Sequence, residues 1–305
     1  MRVLITGALG QLGQELLAVF AADGHHEIIA ADVEPVVEAA NANGTVAHLG
    51  GVDLLAADIT DRDAVLAALT SIEPDVVVHP AAFTAVDRCE TEVDAAYKVN
   101  VLGTRHIAEG ARRIDAPVFY VSTDYVFDGT KDSPYLEWDP TNPQSVYGRT
   151  KLAGERELDP GSTVMRTSWV CGYHGNNMVK TILRLAGEHE TLTFVDDQRG
   201  HPTFAADLAV GIKRLVVDRR PGVFHLTNQG AVSWFEFAQA VLEASGQDPE
   251  RVKPVKTVDL QQNYPAPRPA NSVLDNAALR LSGVPLLPDF HEPLATLVAR
   301  LQADG

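Results

Sequence analysis

Hydrophobic and polar positions fall into alternating blocks along the first half of the chain. Apolar runs of strand length, RVLIT (2–6), HEIIAAD, VDLLAAD, DVVVH (75–79), PVFYVS (117–122) and STVMRTS (162–168), are separated by longer stretches such as QLGQELLAVFAAD and DRDAVLAALTSI. In the longer stretches apolar residues recur at three- and four-residue spacing, so the alternation predicts βαβ units. The strand-like runs are apolar almost without a break. That predicts a parallel sheet covered on both faces rather than one with a wet side. Helices are expected over VDAAYKVNVLGTRHIAEGARR and over residues 144–158.

From about residue 170 the regularity loosens into a glycine-rich turn (CGYHGNN), a helix (176–187), a strand (TLTFVDD), a helix after Pro202, a strand (GVFHLT) and a helix opening at Ser233. Ser233 followed by Glu236 is a capping-box pair. YPAPRPANS (264–272) is too rich in proline for a helix or a central strand. The expectation is a dinucleotide-type domain followed by a smaller, interleaved C-terminal part that closes over a cleft.

Composition narrows the function classes. With 305 residues, 45% of them hydrophobic, the chain can bury one large core or two smaller ones. No apolar run approaches the roughly 20 residues that span a bilayer, and MRVLITG enters a strand without a leader-like segment. Two cysteines, Cys89 and Cys171, make no disulfide framework, so a reducing cytoplasm is expected. A formal charge of −16, from 41 acidic and 25 basic residues, argues against a nucleic-acid partner, because phosphate neutralisation dominates that affinity. The ten histidines show no paired-ligand spacing, so no metal ligand is assigned.

Candidate chemistry begins at TGALGQLG, where Gly7, Gly10 and Gly13 follow an apolar strand and precede a helix. Glycines there let backbone N–H groups approach a pyrophosphate at the positive end of the helix dipole. Gln11 and Leu12 lie inside the motif and share the expectation of cofactor contact. Asp32 closes the second strand, where an acid accepts hydrogen bonds from an adenosine ribose and disfavours the extra phosphate of NADP(H); a solvated strand-end acid is the alternative. Asp58, with Ile59 after it, is placed near the adenine, or else Asp58 caps the helix of DRDAV.

Tyr147 and Lys151 are four residues apart, on one face of a helix. An ammonium beside a phenol lowers its pKa from about 10 toward working pH and makes it a usable general acid. Upstream, Ser122 and Thr123 end a strand at the sheet edge where ligands bind, with hydroxyls suited to orienting a substrate oxygen.

TGALGQLG, HPAAFTAVD, VSTDYVFDG, YGRTK, RTSWV, DDQRGHPT and RPANSVLD occur in the order seen in dTDP-4-dehydrorhamnose reductases, a branch of the extended short-chain dehydrogenase/reductases, which the chain resembles over nearly its whole length. The resemblance implies a Rossmann-type doubly wound parallel sheet over residues 1–168, rejoined by about 191–227, with a smaller α/β substrate-binding region in 169–190 and 228–305. It implies NADH or NADPH as cofactor and reduction of a 4-keto-6-deoxy nucleotide sugar, with Tyr147 as proton donor, Lys151 holding the nicotinamide ribose and Thr123 completing a catalytic triad. Ala81, Ala82 and Thr84 match residues lining the nicotinamide side of the cleft. Asn100 falls where the superfamily has a central-helix asparagine, or is a buried helix-kink residue.

Sugar-nucleotide dehydratases resemble the chain too, but carry Thr-Asp-Glu where it has Thr123-Asp124-Tyr125, so ketone reduction is favoured and Tyr125 is expected to contact the sugar. Trp169, Asn177 and Arg268 are the further substrate candidates; Gln198, Arg199 and His201 are weaker ones. Each has a plain structural alternative: core packing for Trp169, a helix cap for Asn177, a surface cation for Arg268. Mg²⁺ and a homodimer are implied by resemblance alone. Two alternatives stay open: a 4-ketoreductase for another deoxysugar, suggested by the lengthened segment VEPVVEAANANGTVAHLGG and by His79 and His201, and a regulatory subunit like that of methionine adenosyltransferase. Retention of Thr123, Tyr147 and Lys151 speaks against the second.

Overall fold

In a computed structural model the chain is described for residues 1–33, 46–49, 52–260 and 265–303. Much of VEPVVEAANANGTVAHLGG lies outside the described residues, as does Tyr264. The apolar runs become β1 (Arg2–Thr6), β2 (Glu27–Asp32), β4 (Val52–Ala56), β5 (Val76–His79), β6 (Val118–Thr123) and β7 (Thr163–Thr167), and β3 (Val46–Leu49) is added at one edge. With β12 (Gly222–His225) they form an eight-stranded sheet in the order β12-β7-β6-β5-β1-β2-β4-β3. All pairings are parallel except β3 with β4.

The unbroken apolar runs have the expected cause. Val3 and Ile5 of β1 enter one core and Leu4 the other, and Val76 and Val78 face away from Val77 in the same way. α1 (Gln11–Ala21) and α8 (Ala205–Val217) cover the first face; α2 (Arg62–Ile72) and α5 (Thr104–Arg113) cover the second. The strand order reverses between β1 and β5, so the carboxyl ends of those strands diverge and leave a crevice.

The predicted long helix is interrupted: α4 (Val93–Tyr97) passes through a π-helical turn, Lys98–Gly103, before α5. Such turns commonly sit at functional sites. α3 (Val86–Thr91) precedes it, and α6 (Val146–Glu155) starts at a Ser145 cap whose hydroxyl accepts from Gly148 N at 3.0 Å.

A second core lies among α7 (Met178–Glu188), α9 (Trp234–Ala244) and α12 (His291–Ala303), around Ile182, Phe237, Val241 and Val298. The capping box at Ser233 and Glu236 is present, with both reciprocal hydrogen bonds made. TLTFVDD is a strand, β9 (Leu192–Val195), but it pairs with β14 (Val252–Val255) outside the central sheet. Of residues 191–227, α8 and β12 are the elements that return to that sheet. No described helix is long and apolar enough to cross a membrane.

Candidate active site

The crevice at the strand ends is a cavity of about 780 Å³. Its floor is the turn between β1 and α1. Gly7 has φ +60, and a Cβ on it would lie 2.8 Å from Ala81 Cα; a Cβ on Gly13 would lie 2.2 Å from the Gly7 carbonyl oxygen. The chain therefore folds back on itself at a distance only glycine allows, and the N-terminal turn of α1, starting after Gly10, faces the cavity. Gln11 and Leu12 line it as well, Gln11 donating to the Val170 carbonyl at 3.2 Å.

Asp32 lines the cavity beside this turn. Its carboxylate accepts from Leu9 N at 2.9 Å and Val33 N at 2.7 Å, so it holds the glycine turn as well as facing the crevice. Asp58 and Ile59 line the same end. Asp58 accepts from Thr60 N at 2.8 Å, while the cap of α2 is Asp61, accepting from Ala64 N at 3.1 Å. The helix-cap alternative for Asp58 thus belongs to Asp61.

Ala81, Ala82 and Thr84 form the wall after β5. Asn100, 1% exposed in the π-helical turn, pins that wall: its Oδ1 accepts from Phe83 N at 2.7 Å, and its Nδ2 donates to Phe83 O at 3.1 Å and Thr150 Oγ1 at 2.9 Å. Thr150 lies between Tyr147 and Lys151 on α6, so one side chain ties the wall to the helix carrying both. The extra residue of a π turn sets Asn100 between loop and helix.

Thr123, Tyr125, Tyr147, Lys151 and Trp169 meet at the other end of the cavity. Thr123 Oγ1 donates to Asp124 Oδ1 at 2.9 Å and accepts from Tyr125 N at 3.2 Å; it is also within hydrogen-bonding reach of the Tyr147 phenol. With its one proton on Asp124, Thr123 faces the cavity as an acceptor. The Tyr125 and Tyr147 rings meet edge to face at 5.6 Å.

Lys151 is 1% exposed, its Nζ 4.0 Å from the centre of the Tyr120 ring and without a hydrogen-bond acceptor among the described residues. Burial depresses it to about 7, opposed by the Glu155 carboxylate. Burial also pushes the Tyr147 phenol up, with Asp124 and Tyr125 adding to the rise and Thr123 opposing it. Desolvation is the largest influence on this phenol and acts against the lowering expected from Lys151. Asp124, fully enclosed, is raised to about 6 by burial against its hydrogen bonds from Thr123 and neighbouring groups.

A family model described as the RmlD substrate binding domain matches residues 1–303. The chain is 40% identical over 286 residues to a dTDP-4-dehydrorhamnose reductase of Aggregatibacter actinomycetemcomitans, with 90% of each chain covered. It belongs to the dTDP-4-dehydrorhamnose reductase family. A crystal structure of a dTDP-4-dehydrorhamnose reductase from Clostridium acetobutylicum has a TM-score of 0.88 at 37% identity, covering 99% of this chain and 100% of that one. One from Bacillus anthracis, in complex with NADP, has a TM-score of 0.86 at 35% identity, covering 98% and 99%. The dTDP-4-dehydrorhamnose reductases are sugar-nucleotide reductases, and their fold extends over the whole of this chain.

Not every expected site residue of this reductase-family chain reaches the cavity. Asn177 caps α7, accepting from Lys180 N at 3.3 Å and donating to Gly172 O at 2.6 Å, so its amide is used locally and the cap alternative holds. Arg268 forms a two-pronged ion pair with Asp87 of α3, at 3.1 and 2.6 Å. That pairing fixes the proline-rich loop to the helix beside the cavity, with the guanidinium close enough to act on the phenol of Tyr125, which lines it. Arg199 pairs with Glu236, Gln198 donates to Thr257, and His201 is buried. Ser122, expected to orient a substrate oxygen, does line the cavity, but it gives its proton to Glu155 at 2.6 Å.

Trp169 keeps both readings. It lines the cavity, has φ +46, and stacks on Trp234 at 3.5 Å with a 9° interplanar angle. A bulky residue held at positive φ is a strained feature of the kind that gathers at ligand sites. Trp234 was missing from the sequence candidates, since nothing local in SWFEFAQ marks it; only the fold brings it to Trp169. The lysine and the glycine turn fit a dinucleotide: a buried ammonium without an acceptor and a turn closed to any Cβ. Among the described residues no group of three or more His, Cys, Asp or Glu is arranged to hold a metal ion.

Proposed function

We propose that the chain reduces the 4-keto group of a dTDP-4-keto-6-deoxy sugar, in the first place dTDP-4-dehydro-L-rhamnose, using NADH or NADPH, with Tyr147 as the proton donor. The observation that carries this reading is the meeting of Thr123, Tyr147 and Lys151 with the glycine turn in one cavity.

The glycine turn and the start of α1 would hold the pyrophosphate, Asp32 the adenosine ribose, and Lys151 Nζ the hydroxyls of the second ribose. A dinucleotide bound there supplies hydride to the carbonyl carbon. Tyr147 then gives its phenolic proton to the developing alkoxide. The phenol carries its proton at neutral pH, the state a donor needs; burial raises it away from working pH, so donation depends on a buried cation stabilising the phenolate that forms. Charge would develop on the substrate oxygen and on Tyr147, in the cavity that the buried Lys151 side chain also lines. Trp169 and Tyr125 supply apolar faces for the sugar. In this reading residues 1–168, with the return made by α8 and β12, serve the dinucleotide, and 169–190 with 228–305 serve the sugar nucleotide. Asp32 favours NADH, whereas the B. anthracis relative was crystallised with NADP.

The test follows reduced-nicotinamide absorbance with dTDP-4-dehydro-L-rhamnose generated in situ, with Tyr147→Phe in parallel. Turnover to dTDP-L-rhamnose by the wild type is expected, with a loss of about 100-fold or more in Tyr147→Phe and retained dinucleotide binding. Near-wild-type turnover by the variant would remove the proton-donor role. Turnover restricted to a different 4-keto sugar would replace the substrate and keep the chemistry.

A further inference from the structure

Behind the site lies a buried ion pair that the proposed mechanism does not use. Glu155 of α6 and Arg166 of β7 are joined in a two-pronged contact, Nε to Oε1 at 3.0 Å and Nη2 to Oε2 at 2.7 Å, and their side chains are 7% and 6% exposed. Ser122 of β6 adds a hydrogen bond to Glu155 Oε1 at 2.6 Å. Ser122 and Arg166 are paired residues of adjacent parallel strands, and the next pair in register is Thr123 with Thr167, both of which line the cavity. The helix is thus gripped by two strands one residue before the strand end that carries Thr123.

Glu155, Lys151 and Tyr147 are at i, i−4 and i−8 on α6, which places them along one face at 3.6 residues per turn. Fixing Glu155 fixes the rotation of that face against the sheet. The groups around the Lys151 ammonium are His79 on β5, Tyr120 on β6, Tyr147 and Glu155 on α6, and Arg166 on β7 acting through Glu155. Among these Glu155 is the anion.

Resting on the proton-donor reading above, we propose that Glu155, clamped by Ser122 and Arg166, is the positioning residue of this site, setting the height of α6 and supplying the negative charge behind the buried Lys151 ammonium. Such a pair costs desolvation to bury and is a weak source of stability compared with apolar packing. Its value here is placement: a carboxylate one turn from a lysine that has lost its water.

The consequence has a sign. A lysine without its neighbouring anion gives up its proton at lower pH, and Glu155→Gln leaves the Arg166 cation uncompensated, which acts in the same direction. The experiment is the pH profile of kcat/KM from pH 6 to 9 with NADPH and dTDP-4-dehydro-L-rhamnose, together with NADPH binding by fluorescence. It compares wild type, Glu155→Gln and Glu155→Asp. In Glu155→Gln the alkaline limb is expected to move down by about one pH unit, about tenfold lower activity at pH 8, with recovery toward pH 6. Glu155→Asp keeps the charge and shortens the clamp, so kcat should fall while the alkaline limb stays near the wild-type position.

If Glu155→Gln does not fold, Glu155→Leu with Arg166→Met removes both charges into an apolar pair and should show the same direction of shift. An unmoved alkaline limb in whichever of these variants folds, or equal loss at every pH, overturns the proposal while leaving the proton-donor reading intact. Near-wild-type reduction by Lys151→Met overturns this proposal alone, whereas near-wild-type reduction by Tyr147→Phe overturns the proton-donor reading and this one with it.

Discussion

Replacing Asn100 by alanine should cost about 2–4 kcal/mol of stability and loosen the dinucleotide site. Asn100 makes three side-chain hydrogen bonds from a position 1% exposed. Alanine strands the N–H of Phe83 and leaves its C=O only the weak Cys89 thiol donor at 3.8 Å, and each unsatisfied group costs about 1–3 kcal/mol. Phe83 is partly buried, so some water reaches it and the lower half of that range applies to each group. Against a typical 5–15 kcal/mol of total stability the loss is large but not fatal. The wall of Ala81, Ala82 and Phe83 would also lose its tie to α6 through Thr150, and NADPH should bind about tenfold more weakly, or about 1.4 kcal/mol. Urea unfolding gives the first quantity and a fluorescence titration the second. Asn100→Asp, which keeps the acceptor for Phe83 N but sets a carboxylate against Phe83 O, should fare no better. Stability within 0.5 kcal/mol of wild type, with unchanged affinity, would refute the idea that this asparagine holds the wall, where ~0.5 is the scatter of neutral surface substitutions.

Three further outcomes are expected. Gly13→Ala would drive a Cβ to 2.2 Å from Gly7 O and 2.7 Å from the Ala8 backbone; since neither can move aside, dinucleotide affinity should fall about 100-fold or the melting temperature drop sharply, and wild-type behaviour in both measurements would contradict the geometry. Asp32→Ala should shift the NADPH-to-NADH affinity ratio about tenfold toward NADPH, the size of one removed charge repulsion near the surface, while weakening both by releasing Leu9 N; titrations with the two dinucleotides decide it. Burial holds His79 and His225 down at about 3 and His201 at about 4. Groups whose folded pKa is depressed bind protons preferentially in the unfolded chain, so stability should fall as pH drops from about 6.5 toward 4, by up to about 1.4 kcal/mol per pH unit for each histidine. Asp124, raised to about 6, works in the opposite direction over part of that window. Unfolding midpoints that are flat between pH 6.5 and 4.5 would refute the assignment of neutral buried histidines.

The strands, the covering helices, the glycine turn and the Tyr147/Lys151 pair were legible along the chain because each rests on a local rule. Unbroken apolar runs require cover on both faces, a glycine at φ +60 requires no side chain, and four residues make one turn of helix. The same local reading placed Ser233 and Glu236 in a capping box, which they form. It could not choose between equal local alternatives. Asn177 and Arg268 had the right chemistry for a diphosphate, but one satisfies its own helix end and the other finds Asp87, 181 residues away. Asp58 was given a cap as its alternative role, and the fold gives that cap to Asp61 instead.

What the sequence by itself determined is therefore the order of elements and the residue types that the chemistry needs. Tertiary structure alone decided which of those residues share a cavity: Trp234 stacked on Trp169, Asn100 bridging wall and helix, and Glu155 held between Ser122 and Arg166. It also shifted the titrating groups, since burial depresses the Lys151 ammonium to about 7. Partners distant in sequence and the loss of water around a group leave no periodic trace along the chain, because both arise only when the strands and helices have closed on one another.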